Sequence, residues 1–548
     1  MKCMLKMLTH KAIGFLGALG LLLVSLHNNA NAQVTTADIV GTVTDQTGAI
    51  VPGAQIKVVN DGTGGVSTGV ASTGGDFDVS NLQVGSYTVM VSAAGFKTSV
   101  SHIALASGDR ARITPKLEVG TAQQTVTVEA ATPALQTQSS TVGSLINDQL
   151  TQDLPLNGRN VTNLIQLAAG VTVGLPNAMN SGTRPDDRRQ SSSYSANGQS
   201  DEVNNNMLDG MDNNERFIGS VGVRPSIDAI QEVRVMTNLY TAEISRAGGA
   251  VVDLISKTGT NQFHGTIYEF LRNDITDARN YFATVGPKPE LRQNQFGGSI
   301  GGPIVKNKAF FFGDYEDFRL VEGVTAISTV PTLFEEQNPG NFTDLGASCP
   351  NVSSKVVKGS IGSNYFSLYP APNQSGLPGT GTCAPPTNNF NFTAGQTQDV
   401  ATYDADVEYH MSTNDSLIGR YNYNSTSAYI PGVLPITNVA GVTVNPGAGP
   451  YGAAGGNSFA GPASDQETSA ALAYTHIVNP NSVIDFHAQY MRLNNLSGTV
   501  NEGKNTSTAF GFPCNGVSCV NLPGDQTSSG LLSIFVLGGP YASLGDAS

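Results

Sequence analysis

The residues best suited to covalent or metal chemistry are few and scattered in this chain of 548 residues. None of the seven histidines begins an H-E-x-x-H or H-x-x-E motif, so the ligand spacing of a zinc hydrolase is missing. The acidic turn Asp209–Asp212 could suggest Ca²⁺, but it lacks the alternating acids and closing glutamate of an EF-hand, which favours a hydrogen-bonded turn. The sequence also shows no evident pairing of a nucleophile with a general base. We therefore expect no enzyme activity, no catalytic or metal-binding residues and no cofactor.

Cysteines offer one covalent option. Cys349 and Cys383 form one nearby pair, and Cys514 and Cys519 form another, both in loop-like sequence. A metal site is the competing interpretation, but no Cys-x-x-Cys motif or cluster of histidines accompanies them. We therefore expect the disulfides Cys349–Cys383 and Cys514–Cys519, which fit an oxidising compartment.

Residues 1–32 have the three parts of a secretory signal peptide. Three lysines precede the apolar core Ile13–Leu26, and Ala30–Ala32 supplies a small-x-small cleavage site. An uncleaved anchor is the alternative, but the apolar run is short for a membrane span, and no later run is long enough. Cleavage would change the formal net charge from −14 to −17, and an acidic exported chain is a poor candidate for binding nucleic acid.

Two runs within Ala401–Ser427 alternate apolar and polar residues with a period of two, which indicates β-strands. The turn residues Ser412–Asp415 separate the runs, so the segment predicts a hairpin. A soluble sheet would bury the apolar face in a core, whereas a transmembrane β-barrel would turn it to lipid and keep the polar face in a wet lumen. The apolar positions are Ala401, Tyr403, Ala405, Val407, Tyr409, Leu417, Gly419, Tyr421 and Tyr423.

The pattern of connections favours the membrane barrel. Seven strand-like runs follow Asn261, and short connections between them take turns with long ones, as in barrels with tight periplasmic turns and large external loops. We therefore predict a partial β-barrel with long extracellular loops over residues 262–548. The runs are Gln262–Leu271, Gln293–Gly302, Ala309–Leu320, Ala401–His410, Leu417–Ser427, Thr468–Ile477 and Val483–Leu493, and the long connections are 321–400, 431–466 and 494 onward.

Residues 33–118 have the short strands and the Gly and Asp turns of a small β-sandwich. The motif from Gly41-x-Val43-x-Asp45 through Val51-Pro52-Gly53-Ala54 to Gly85-x-Tyr87-x-Val89 resembles the carboxypeptidase regulatory-like domain. The resemblance implies a transthyretin-like sandwich related to starch-binding folds, without peptidase activity. A passive spacer is favoured over a sugar site, because no exposed Trp or Tyr pair offers a stacking platform.

Residues 136–261 mix helix and strand signals. Asn160 caps a helical run, Pro225–Ile230 predicts a short helix, and Glu232–Thr237 and Ala250–Ile255 predict strands. A series of motifs in and after this block resembles the plug and barrel entry of TonB-dependent receptors of the Oar-like group. These motifs are Leu154–Asn160, Leu208–Asn213, Ile230–Val233, Tyr240–Glu243, Arg246–Gly249, Lys257–Gly265, Tyr268–Asn273 and Ala278–Asn280. The resemblance implies a plug, residues 136–261, inside an outer-membrane barrel.

The linker 119–135 contains the β-prone run Thr125, Val126, Thr127 and Val128, which resembles a TonB box. A TonB-type energy-transducing protein captures such a box by strand addition, so backbone pairing matters more than side-chain identity. An ordinary first strand of the following domain is the alternative interpretation. The resemblance implies three partners, namely the transducing protein, outer-membrane lipid and an unknown extracellular ligand.

The sequence as a whole predicts a mostly β protein of the outer membrane, with a transthyretin-like β-sandwich and a mixed α/β plug on the periplasmic side, then the first strands of an antiparallel β-barrel. We expect a receptor-transporter for an oligosaccharide, peptide or other large nutrient. The alternatives are a passive surface-binding or adhesion protein and a secreted enzyme. About seven strands cannot close around a plug, compared with ~22 in plugged transporters, so we expect several hundred residues beyond Ser548.

Overall fold

The structure is a computed structural model, and it describes most of the chain from Thr36 to Phe512 together with Leu544. The predicted signal peptide, Cys514 and Cys519 lie outside the described residues. The gaps within the described part are 121–124, 129–139, 155, 157–158, 175–193, 217–220, 241–243, 245, 339, 352–360, 380–382, 447–459, 480–481, 503 and 505.

The N-terminal part is a β-sandwich. Its strands are β1 Ala37–Thr42, β2 Thr44–Asp45, β3 Gln55–Asn60, β4 Val66–Val70, β5 Asp76–Leu82, β6 Gly85–Ser92, β7 Thr98–Leu105, β8 Arg110–Ile113, β9 Lys116–Leu117 and β10 Thr125–Val128. The two main sheets have the orders β5-β1-β8 and β10-β7-β6-β3-β4. Alternate residues point into one apolar core, where Ile39, Ile56 and Leu117 are almost fully buried.

The second part is a mixed domain built on a five-stranded sheet. Its elements are β11 Val142–Asn147, α1 Asp148–Asp153, α2 Thr162–Ile165, β12 Val171–Val173, β13 Tyr194–Ala196, β14 Asn205–Leu208, β15 Met211–Asp212, β16 Ile230–Asn238 and β17 Val251–Ser256. The sheet order is β11-β16-β17-β14-β15. The short helix predicted at Pro225–Ile230 is a single 3₁₀ turn at Ile227–Ala229, started by the Ser226 hydroxyl. Among the described residues, no helix is long and apolar enough to cross a bilayer.

The third part is one antiparallel sheet of seven long strands, in the order β18-β19-β20-β21-β22-β25-β26. The strands of this part are β18 His264–Asn273, β19 Leu291–Val305, β20 Ala309–Ser328, β21 Phe390–His410, β22 Asp415–Ile430, β23 Thr437–Val439, β24 Val442–Val444, β25 Gly461–Asn479 and β26 Ser482–Ser497. The hairpin β23–β24 lies outside this sheet. All seven predicted strands are therefore present, and β18 and β26 form the two edges.

Several of these strands are longer than the sequence predicts. The run predicted at Ala401–His410 begins eleven residues earlier, at Phe390, and the run predicted at Ala309–Leu320 continues to Ser328. A strand needs only ~10 residues to cross a bilayer. The added length extends past that region, where neither face has to be apolar and the alternation is lost.

The two faces of the sheet differ in polarity, as a membrane barrel requires. On β21, the side chains of Asp404, Asp406 and Glu408 are buried, with at most 6% of their surface exposed. Tyr403 and Val407, which alternate with them, are 46% and 48% exposed. The polar face therefore meets protein and the apolar face points outward, which is the reverse of a soluble sheet.

The two ends of the sheet also differ. At the short-turn end, only two to four residues join β19 to β20, β21 to β22 and β25 to β26. At the long-loop end, residues 329–389 and 431–460 make the connections, and they contain the helices α3 Leu333–Gln337 and α4 Ile361–Phe366. With α5 Thr506–Ala509, these loops share an apolar cluster around Leu368, Leu434 and Phe510. The predicted sorting of short and long connections is confirmed.

Candidate functional site

The TonB-box-like run Thr125–Val128 forms β10, the outer strand of a sandwich sheet. It lies parallel to β7, with Thr125 opposite Thr98 and Val128 opposite Ser101. Its partner is thus the preceding domain and not the following one. The interpretation of this run as the first strand of the plug is therefore wrong.

A buried arginine joins the mixed domain of residues 142–256 to the seven-stranded sheet. For their positions alone, the mixed domain is called the plug and the sheet the wall. The Arg159 guanidinium forms ion pairs with Asp228 of the same domain and with Glu316 of β20, the latter at 3.5 Å. The same guanidinium lies 4.4 Å from the ring centre of Tyr268 and 5.0 Å from that of Phe270, both on β18. Only 15% of the Arg159 side chain is exposed, so one cation joins the plug to two strands of the wall.

A second ion pair crosses the same seam with the charges reversed. Arg420 of β22 points inward and pairs with Asp209 of the plug at 3.1 Å and with Asp406 of β21 at 3.0 Å. Asp209 stands at the turn between β14 and β15, where it also accepts hydrogen bonds from the backbone N–H and hydroxyl of Ser256. The hydrogen-bonded turn expected at Asp209–Asp212 is therefore confirmed.

These ion pairs are costly to break singly, but water can replace both partners. Removing one partner of a buried ion pair costs about 3–5 kcal/mol, because the other charge is left buried and unpaired. Water can nevertheless solvate both partners if the plug moves, since each contact is polar. Ser226 adds a third contact of this kind, because its backbone N–H donates to Asp404 Oδ2 at 3.0 Å. The seam between plug and wall is thus held by a few polar contacts.

The sandwich touches both the plug and the wall at the short-turn end. Gln83 Nε2 donates to Glu408 Oε1 of β21 at 2.7 Å. The Ser107 backbone N–H donates to Glu232 Oε1 of the plug, also at 2.7 Å. The Asn261 N–H, just before β18, donates to the Gly62 carbonyl at 2.9 Å. The three parts of the chain therefore meet at this end.

Two buried carboxyl groups of the plug have raised pKa values. Burial raises the pKa of Glu232 to about 7, although the hydrogen bond from Ser107 acts in the opposite direction. Burial likewise raises the pKa of Asp253 to about 7, against the hydrogen bond from the Gly210 N–H. Glu232 therefore places a group that titrates near neutral pH at the contact between plug and sandwich.

The expected disulfide Cys349–Cys383 lies at the long-loop end of the sheet, opposite the short-turn end where the three parts of the chain meet. The structure joins the two sulfurs, with the Cα atoms 5.2 Å apart. Cys349 is buried within the loops. The bridge closes part of the β20–β21 connection and so restrains the largest loop of the described residues.

The sequence did not identify the charged side chains of the seam. Arg159 lies within the motif Leu154–Asn160, and Arg420 directly precedes a run of alternating Tyr and Asn, but neither position has an evident partner in the sequence. Asp209 is 211 residues from Arg420 in the chain, so only the fold brings them together. A useful signal was available: a single arginine on the polar side of a predicted barrel strand needs an acidic partner inside.

Residues 255–548 match the family described as outer membrane beta barrel domain, and residues 38–118 match the carboxypeptidase regulatory-like domain. The chain is also similar to the TonB-dependent transporter Oar of Myxococcus xanthus, with 25% identity over 305 residues. That similarity covers 52% of this chain and 27% of the relative, so the chain spans only part of the length of that protein.

Two solved structures are similar to parts of the chain. The ferric enterobactin receptor PfeA of Pseudomonas aeruginosa, as its G324V mutant, has 13% identity and a TM-score of 0.37, covering 67% of this chain and 42% of the receptor. The outer membrane transporter YddB of Escherichia coli has 10% identity and a TM-score of 0.39, covering 65% and 39%. The outer-membrane match alone includes more than half of the residues. The chain therefore belongs to the outer-membrane β-barrel family and is a protein of the outer membrane.

Proposed function

We propose that this protein is a TonB-dependent receptor and transporter that takes up an unidentified ligand, such as an oligosaccharide, a peptide or another large nutrient. One observation carries the proposal. A plug-like domain packs against the polar inner face of a sheet whose outer face is apolar, and ion pairs through Arg159 and Arg420 hold it there. A plug held in this way can close a pore and can still move when pulled.

The order of elements offers a route for the pull. Residues 129–141 lie between β10, which the transducing protein would capture, and β11 of the plug. β11 is an outer strand of the plug sheet and pairs only with β16 among the described strands. Tension on β10 would therefore load the β11–β16 ladder first, and loosening of that ladder would begin the movement of the plug.

The long-loop end would receive the ligand. Asparagine side chains fix its loops through hydrogen bonds to backbone N–H and C=O groups, in the way that a neighbouring strand would. Asn389 accepts from the N–H of Val330 and donates to its carbonyl, both at 2.8 Å, and Asn501 does the same for Asn445. Loops ordered before binding lose less conformational freedom on contact with a ligand, which favours affinity.

Transport of this kind needs no covalent chemistry. The curated relative is named a transporter, and the two solved structures are named a receptor and a transporter. We therefore assign no residue a catalytic role. Glu232 and Asp253, the plug carboxyls with raised pKa values, are assigned to packing of the plug.

Capture by the transducing protein tests the proposal. The full-length protein in detergent-opened outer membranes would be passed over the immobilised C-terminal domain of a TonB-type protein from the same organism. The unaltered protein should be retained. Val126→Pro should abolish retention because proline removes a backbone donor, whereas Val126→Thr should preserve it. Equal retention of both variants would contradict the assignment of β10 as the captured segment. Failure to retain the unaltered protein would favour the passive surface-binding alternative.

A further inference from the structure

The outer edge of β7 is occupied by another strand. In the sheet order β10-β7-β6-β3-β4, β7 would be an outer strand if β10 were absent. An outer strand presents unpaired N–H and C=O groups, which attract any strand that can align with them. Here the occupant is Thr125–Val128, in parallel register over four residues.

The two sides of β7 are held very differently. On the inner side, seven residue pairs from Gly85–Leu105 to Val91–Ser99 join β7 to β6 in antiparallel fashion. On the outer side, the four parallel pairs with β10 are fewer, and parallel pairing is slightly weaker for each residue. The other outer strand, β4, has five antiparallel pairs with β3, so β10 is the more weakly paired of the two outer strands.

A short tether explains how so brief a pairing is populated. Val119 forms a β-bridge with Phe96, which lies just before β7. Only five residues connect Val119 to the start of β10 at Thr125. A short connection keeps the local concentration of the segment near its site in the millimolar range or higher, so weak pairing suffices. The sandwich can thus hold the segment without binding it tightly.

We propose that the β7 edge of the sandwich is a strand-binding site for Thr125–Val128, and that it competes for this segment with the energy-transducing partner. The inference rests on the proposed function, because it takes β10 as the segment the partner captures. The partner must supply an extended strand that pairs with the backbone of β10 over more residues than β7 does. The sandwich is then more than a spacer, since it decides when the segment is available.

A reversible cross-link tests this competition. In the double variant Ser101→Cys with Val128→Cys, the new cysteines occupy positions opposite each other in the backbone register of β7 and β10, and mild oxidation should join them. Retention on the immobilised C-terminal domain of the transducing protein should be lost on oxidation and return on reduction. Because the same sample binds again after reduction, loss of retention cannot come from misfolding.

The control places a cross-link in the same sheet without touching β10. Lys57 and Thr68 are exposed residues that face each other across β3 and β4, and Lys57→Cys with Thr68→Cys should be retained equally when oxidised or reduced. Reduction also opens Cys349–Cys383, and this variant controls for that effect as well.

The remaining outcomes distinguish failure of the proposed competition from failure of the proposed function. If the cross-link forms and retention is unchanged, β10 is a permanent strand of the sandwich and the competition is refuted. If no cross-link forms while the unaltered protein is retained, β10 does not occupy the β7 edge, and the proposed function still stands. If no form of the protein is retained, the proposed function fails and the competition fails with it.

Discussion

The sandwich and the barrel wall of this molecule use the same period of two with opposite polarity. In β3 of the sandwich, Val58 is completely buried and Lys57 faces water. In β21 of the wall, Asp406 is 4% exposed and Val407 is 48% exposed. The difference teaches that alternation determines the strand, whereas the medium on each side determines which face is apolar.

An acid in the sandwich core should give the largest effect. Val58→Asp would place an unpaired carboxylate in an apolar core and should destabilise the sandwich by on the order of 5 kcal/mol. Limited proteolysis should then cut within residues 36–118 and leave the barrel strands resistant. Lys57→Asp, at the exposed neighbouring position, should change the free energy of unfolding by less than about 0.5 kcal/mol. Equal proteolysis of both variants would contradict the assignment of Val58 to the apolar core and Lys57 to the water-facing side of β3.

A buried charge of the seam should matter nearly as much, although the wall tolerates acids inside. Arg420→Met leaves Asp209 and Asp406 without their cation and should destabilise the packing of plug on wall by about 3–5 kcal/mol. Thermal unfolding in detergent would measure the loss. The matched variant Arg110→Met removes an ion pair with Asp78 whose side chains are nearly half exposed, and it should cost under about 1 kcal/mol. Similar shifts in the two variants would argue against a charged seam.

A charge on the outer face of the wall tests the opposite side of the comparison. Val407→Arg should cost about 2–4 kcal/mol if Val407 lies near the middle of the bilayer, and less nearer an interface. Val407→Leu should be neutral. The yield of membrane-inserted protein is the readout. Thr68→Arg, on the exposed face of sandwich strand β4, should have no effect on that yield, because this face meets water.

Acidity offers a smaller test within the plug. The folded pKa of Glu232 is raised to about 7 from an ordinary value near 4.5, so the folded plug binds this proton more tightly than the unfolded chain does. The contribution of Glu232 to stability is therefore greatest below pH ~4.5, falls by about 3 kcal/mol as the pH rises to ~7, and is constant above that. Glu232→Gln should remove this part of the dependence in thermal unfolding from pH 4.5 to 8. Parallel curves for the two proteins would contradict the assignment.

Local patterns in the sequence were sufficient for the strands but not for their contacts. The seven barrel strands were predicted because the lipid side and the wet side impose alternation on each strand separately. The first eleven residues of β21 were missed because no such constraint applies to Phe390–Val400. The pair Arg159–Glu316 and the docking of β10 on β7 were also missed, since backbone pairing and distant ion pairs leave little trace in one sequence.

The central claim is that the apolar face of β21 meets lipid and its polar face meets the plug. Nitroxide labels on single cysteines at positions 403 to 408, in protein reconstituted into bilayers, test it directly by collision with oxygen and with a water-soluble nickel chelate. Oxygen accessibility should be high at Tyr403 and Val407, and both reagents should reach Asp404 and Asp406 poorly. Shielded labels at Tyr403 and Val407, with nickel reaching Asp404 and Asp406, would contradict the account and restore the soluble sheet.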